Sequence, residues 1–248
     1  MTRIALVLIG TLLAARALAG SQSCEVPDYV THVDAPLTRV SAVVAKDHRL
    51  DILVIGTGSS ALPGVEGARS AYPTRLEAAL AKRLPDAAVT VRTEVKTRRT
   101  TADMVNDLEK YLLDGKPTLV VWQTGTVDAI RGIEPDEFRA ALEKGLAVLS
   151  AAGTDVILVN MQYSPRTDVM IAGGAYADNL RLVAQQHDLP LFDRLSAMKH
   201  WNETGAFDLS GPNTGHMAEK VHDCLGKLLA ELIVNAAHLD RNHSKETR

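Results

Sequence analysis

Aromatic side chains are scarce: phenylalanine, tyrosine and tryptophan together make up 4% of the chain. The core must therefore be built mostly from Leu, Val, Ala and Ile. Cysteine is nearly absent. The two residues present, Cys24 and Cys224, are too far apart in sequence for the close ligand spacing of a metal site. A surplus of either charge is also missing, since 27 Lys and Arg stand against 30 Asp and Glu for a formal net charge of −3. With no basic block interleaved with aromatics, a nucleic-acid-binding surface is excluded. Neither an internal repeat nor a low-complexity tract occurs, which excludes solenoids and disordered arrays.

What is there suits one folded domain. Hydrophobic residues make up 46% of 248 residues, enough for a sizeable core. Residues 1–19 read as a cleavable leader rather than as part of the fold. Arg3 supplies the positive start, residues 4–15 are a short apolar run, and Ala17-Leu18-Ala19 is an A-x-A cleavage signal. The mature chain is then exported, to a periplasm or beyond, and keeps no stable membrane insertion. Gly20 rather than cysteine follows the cut, so a lipid anchor there is not expected. Two readings of the cysteines stay open. In an oxidising compartment Cys24 and Cys224 can bridge the N-terminal arm to the last helix; alternatively Cys224 is a small buried hydrophobe.

Residues 20–47 form a polar arm without clear periodicity, 48–238 the folded domain and 239–248 a polar tail. Short apolar, β-branched runs predict strands over 52–55, 89–95, 119–122, 155–160 and 189–192. Helical spacing predicts helices over 72–84, 101–113, 135–152, 175–187 and 217–238. Strands alternating with helices imply a parallel sheet covered on both faces, a three-layer α/β/α sandwich.

The chemistry centres on the first strand, Ile52 to Ile55, which breaks into Gly56-Thr57-Gly58-Ser59-Ser60-Ala61. An open α/β sheet places its ligands at the carboxyl ends of such strands. The stretch fits a G-x-G-x-x-A dinucleotide fingerprint. That reading requires a helix starting at the glycine turn and an acidic residue about 20 residues on. Pro63, Gly64 and Gly67 interrupt the helix, and Glu94 is much too far away. The stretch also fits a turn presenting a nucleophilic serine, which needs a histidine base and an orienting carboxylate. Of the eight histidines, His216 stands at a loop-to-helix junction, where a side chain can overhang the sheet edge. His222 falls inside the helix and reads as packing or surface.

Three features together resemble the SGNH (GDSL-type) hydrolases: a strand followed by Gly and Ser, Gly125-Thr126-Val127-Asp128 after the third strand, and His216 opening the last helix. The resemblance spans residues 48–237. It implies a flavodoxin-like sandwich on a five-stranded parallel sheet and hydrolysis of an acyl ester or acylated carbohydrate, without a cofactor. Several blocks depart from the family pattern. Gly58 stands at the nucleophile position, with Ser59 one residue later. The second block has no glycine donor, leaving Thr97, Arg98 or Gln123 as substitutes. Val127 replaces an asparagine donor beside Gly125, and Asn213 replaces the triad carboxylate, a role that Asp208 is placed to take. Arg98 and Arg99 read as a solvated pair or as cleft cations, Asp128 and Arg131 as a solvated pair, and Tyr163 as a cleft residue. Two functions follow. One is a serine esterase with Ser59 as nucleophile, His216 as base, Asp208 or Asn213 orienting it, and the Ser59 and Ser60 N–H groups holding the oxyanion. The other is an inactive relative that binds an acyl or carbohydrate ligand or a protein partner.

Overall fold

The computed structural model describes residues 24–171, 173–211 and 215–241. The leader and Asn213 lie outside them, as do residues 242–248 of the tail. The chain opens with α1 (Thr38–Asp47), β1 (Arg49–Gly56), α2 (Gly64–Ser70), α3 (Tyr72–Arg83) and β2 (Ala88–Val95). It continues through α4 (Thr101–Leu113), β3 (Leu119–Gln123), α5 (Thr126–Arg131), α6 (Pro135–Ala151) and β4 (Asp155–Val159). It closes with α7 (Pro165–Met170), α8 (Gly174–Gln186), β5 (Leu191–Phe192), α9 (Arg194–Glu203) and α10 (Gly215–Ala236).

All five strands are parallel, in the order β2-β1-β3-β4-β5. This is the flavodoxin-like doubly wound order. Alternate residues of the central strands feed opposite cores, as strand geometry requires. Ile52, Val54, Leu119, Val121, Ile157 and Val159 join α1, α3, α9 and α10 on one face. Leu53, Ile55, Val120, Trp122, Val156 and Leu158 join α4, α6 and α8 on the other. Both faces are dry, which explains why these strands are apolar runs rather than alternating ones. Trp122 is wholly core, its indole N–H aimed at Met104 Sδ at 3.3 Å.

The chain leaves β1 toward the first face and β3 toward the second. The crevice between their carboxyl ends is therefore the topological switch point, where such sheets bind ligands. The α10 helix forms one wall of this end. It approaches α3 so closely that a Cβ on Gly226 would lie 2.6 Å from Arg75 Cβ and 2.8 Å from the Leu76 nitrogen. Only glycine permits that contact.

Six elements depart from the sequence expectation. The polar arm contains α1, which buries only Val40. The loop expected after the first strand contains α2, and short helices α5 and α7 occupy other expected loops. The polar tail begins with a 3₁₀ turn, Leu239–Arg241, whose Leu239 is buried. The α9 helix follows β5 directly and brings in a residue that matters below.

The cysteines are bridged. Cys24 and Cys224 are joined across 200 residues, with their Cα atoms 5.2 Å apart.

Candidate active site

After Gly56 the chain turns through Thr57 into a 3₁₀ turn, Gly58–Ser60. Gly56 is required here: a Cβ would stand 2.6 Å from Ser60 Oγ. The turn rests on one buried side chain. Gln123 Oε1, at the end of β3, accepts from Thr57 N–H and Thr57 Oγ1, both at 2.9 Å, from Ser60 Oγ at 3.0 Å and from Ser59 Oγ at 3.3 Å. A backbone N–H can only donate, so the amide orientation is fixed. Gln123 presents an acceptor to the turn, not the oxyanion donor expected of it. Its Nε2 is buried and makes no hydrogen bond with the described residues.

The two serines separate. Ser60 is buried, and its Oγ is fixed by Tyr72 Oη at 3.0 Å and by Gln123. Its N–H donates to Thr57 O at 2.9 Å, which removes it as an oxyanion donor. Ser59 is half-buried and lines a cleft of about 590 Å³. Gly58, Leu62, Tyr163, Arg166, Asp208 and His222 also line it.

Beneath Ser59 lies Arg194, the first residue of α9, which is 1% exposed. Its Nη2 donates to Ser59 Oγ and its Nη1 to the Ser59 carbonyl, each at 3.1 Å. The preceding Asp193 does not neutralise it. That carboxylate accepts from Asn160 Nδ2 at 2.6 Å, from Arg181 at 3.2 Å and from Ser196 N–H at 3.0 Å. Burial raises the Asp193 pKa, but those hydrogen bonds and Arg181 outweigh it and hold the carboxyl below its usual range. Burial lowers the Arg194 pKa to about 10. Sequence reasoning missed Arg194. The only local signal is the F-D-R ending of a short strand, which reads as a helix cap.

The histidines are not placed as expected. His216 is exposed and stands outside the cleft lining. From α10 the cleft takes Met217, Ala218, Val221 and His222 instead. His222 is buried, and its Nδ1 accepts the Tyr72 N–H at 3.0 Å, capping the start of α3. Nδ1 is thus the acceptor, and in the neutral ring Nε2 carries the proton. A triad histidine has the reverse tautomer. Burial first, and then the Arg194 charge, lower the His222 pKa to about 4.

That depression has a consequence for stability. Unfolded His222 takes up a proton near pH 6.5, whereas the folded ring resists until about pH 4. The histidine's contribution is therefore complete above the unfolded value and is lost as pH falls through this window. The shift corresponds to about 3 kcal/mol. Denaturant midpoints measured from pH 7 to pH 4 should fall more steeply for the native protein than for His222→Gln. Parallel curves would refute the assignment.

The remaining expected residues scatter. Asp208 lines the cleft, but its carboxylate accepts from the Ser210 N–H and hydroxyl, which hold its pKa down. Thr97 is exposed, packed near Gly58. Arg98 is exposed in a left-handed turn, φ 62°, and its carbonyl accepts from Arg131. Arg99 is neither solvated nor in the cleft: it is buried against Tyr111 Oη at 2.8 Å and Asp107 at 2.8 Å. Asp128 is no solvated partner of Arg131 either. It is buried and accepts from Thr101 N–H and Oγ1, and burial raises its pKa. Gly125 is buried with φ 93°, and Val127 is half-buried in α5. Tyr163 is in the cleft wall, as expected.

Among the described residues no group of His, Cys, Asp and Glu is arranged to hold a metal, and no helix is long and apolar enough to cross a membrane. A depression of about 510 Å³ at the amino end of the sheet is lined by Leu37, Arg39, Asp155 and His187. Asp155 there serves the fold, accepting Val40 N–H at 2.9 Å.

A non-GDSL lipase-like family model matches residues 23–239. Solved structures share the fold. A lipase/acylhydrolase from Enterococcus faecalis superposes with a TM-score of 0.57 at 22% identity, covering 73% of this chain and 94% of that one. An alpha/beta hydrolase enzyme from the metagenome of Lake Arreo, Spain, gives 0.56 at 19% identity, covering 75% and 94%. A catalytic mutant of an acetylxylan esterase from Geobacillus stearothermophilus gives 0.56 at 18% identity, with the same coverage. At these identities the likeness shows the fold alone. No curated protein matches the sequence.

Proposed function

The chain belongs to the non-GDSL lipase-like family, and from that premise we propose that it hydrolyses acyl esters in the cleft at the switch point, with Ser59 as nucleophile. The observation that carries this reading is Ser59 Oγ itself. It stands at a strand-end turn, lines the cleft and touches a buried guanidinium at 3.1 Å. A cleft of about 590 Å³ suits a small ester or one acylated sugar unit.

In the first half-reaction Ser59 Oγ bonds to the ester carbonyl carbon, the ester C–O bond breaks, and the alcohol leaves with the serine proton. Water then adds to the acyl-enzyme, releasing the acid and restoring Ser59. His222, with Nδ1 engaged and Nε2 protonated, is not placed to accept that proton. His216 stands exposed outside the cleft lining, so in this reading it acts as base only after its side chain turns inward past Met217, with Asp208 or Asn213 orienting it. The Ser59 N–H holds the oxyanion. Export also belongs to the reading. It is supported by the Cys24–Cys224 bridge, because such bonds persist in oxidising compartments.

The test is covalent labelling. The mature protein, treated with a fluorophosphonate and digested, should carry the label on the peptide containing Ser59, and it should hydrolyse p-nitrophenyl acetate. Label absent from Ser59 together with no turnover would leave the ligand-binding reading in its place.

A further inference from the structure

We propose that Arg194 is a positioning residue for Ser59, a buried cation that sets the rotamer of the hydroxyl and favours negative charge on its oxygen. The inference rests on the reading of Ser59 as nucleophile.

The geometry is specific. β1 and β5 lie three places apart in the sheet, a separation of roughly 14 Å. The Arg194 side chain from α9 meets the turn that follows β1 and so closes that gap. One guanidinium then makes two hydrogen bonds to a single residue, to its carbonyl and to its Oγ. The fork fixes the side chain against its own backbone. The serine O–H is left facing Gln123 Oε1.

The charge is uncompensated. A buried cation costs several kcal/mol unless it is paired, and among the described residues Arg194 forms no ion pair. The nearest acid in sequence, Asp193, is committed to Arg181 and Asn160. The titratable neighbours Tyr72 and His222 are both buried, and burial keeps each uncharged. Arg194 Nε makes no hydrogen bond with the described residues. The field of this cation acts on Ser59, which takes two of its hydrogen bonds, as well as on uncharged Tyr72 and His222. It favours the oxygen as it gives up its proton to attack, and again when it leaves the acyl-enzyme. Such a site resists losing its cation to solvent screening, because water is excluded around it.

Fluorophosphonate labelling of Ser59 and p-nitrophenyl acetate hydrolysis, followed from pH 5 to pH 10, test this in the native protein, Arg194→Met and Arg194→Lys. Arg194→Met should slow labelling on the order of 10²-fold and move its pH midpoint upward by about one unit. It should lower kcat with little change in KM, and Arg194→Lys should recover part of the rate. Arg194→Gln carries the same test should the methionine variant not fold. A folded variant without the charge that labels at the native rate and midpoint overturns the inference while leaving Ser59 as nucleophile. A native protein whose Ser59 is not labelled overturns both.

Discussion

Replacing Ser59 by alanine is expected to lower kcat/KM for a short-chain p-nitrophenyl ester by roughly 10³-fold or more, while Ser60→Ala keeps activity within about tenfold of native. The sequence offers two adjacent hydroxyls, and only the surroundings separate them. Ser60 Oγ is sealed between Tyr72 and Gln123 and cannot meet a substrate without breaking both bonds. Ser59 Oγ lines the cleft and is held by Arg194 from behind. Both variants should also lose stability. Ser60→Ala leaves Tyr72 Oη, fully buried, without its hydroxyl partner, which costs about 1–3 kcal/mol. Ser59→Ala leaves the turn's other bonds to Gln123 intact but takes the Oγ acceptor from the buried Arg194 Nη2, a cost of at least the same order. Kinetics and denaturant titrations of the two variants measure both quantities. An alanine at position 59 that turns over ester at the native rate would remove the serine mechanism altogether.

The place of this site could be foreseen from the chain, most of its residues could not, and the part that could not has a common cause. The strands around 52–55, 119–122 and 155–160 are legible because a strand buried on both faces must be a continuous apolar run. The place of the chemistry is legible too, since glycine and hydroxyls follow the first of those runs. Arg194 is not legible: it lies 135 residues from Ser59, and nothing local marks an arginine that crosses the sheet edge. His222 illustrates the same limit differently. Reading it as a packing residue is correct, yet the packing partner, Tyr72 N–H, lies 150 residues away. That one contact fixes the tautomer and so decides what the ring can do. Asp128 and Arg99 read as surface charges by type. They are buried because the loop after β3 and the first turn of α4 need hydrogen-bond partners inside the fold. The short helices α2, α5 and α7 are not legible because six or seven residues carry too little periodicity to show.

The second large effect is expected in the middle of α10, at Cys224. Reduction of the Cys24–Cys224 bridge, or Cys24→Ser with Cys224→Ser, should cost about 2–5 kcal/mol. The bridge closes a loop spanning 200 residues, for which chain entropy alone predicts about 5 kcal/mol. The lower bound applies if the reduced, unfolded chain keeps residual structure. The arm does not depend on the bridge alone. Trp201 Nε1 donates to the Glu25 carbonyl at 2.9 Å, Thr31 Oγ1 to Glu231 at 3.2 Å, and Leu37 N–H to the Ala236 carbonyl at 3.0 Å. The reduced protein should therefore still fold, with its melting midpoint lowered by roughly 10 °C. Activity should persist below that lowered midpoint, because the contacts of Ser59, Gln123 and Arg194 do not involve the arm. Thermal unfolding with and without reductant, with thiol content confirmed by mass, measures the shift. An unchanged midpoint in fully reduced protein would mean that these hydrogen bonds and the burial of Val30 and Leu37, rather than the covalent link, hold the arm on α10.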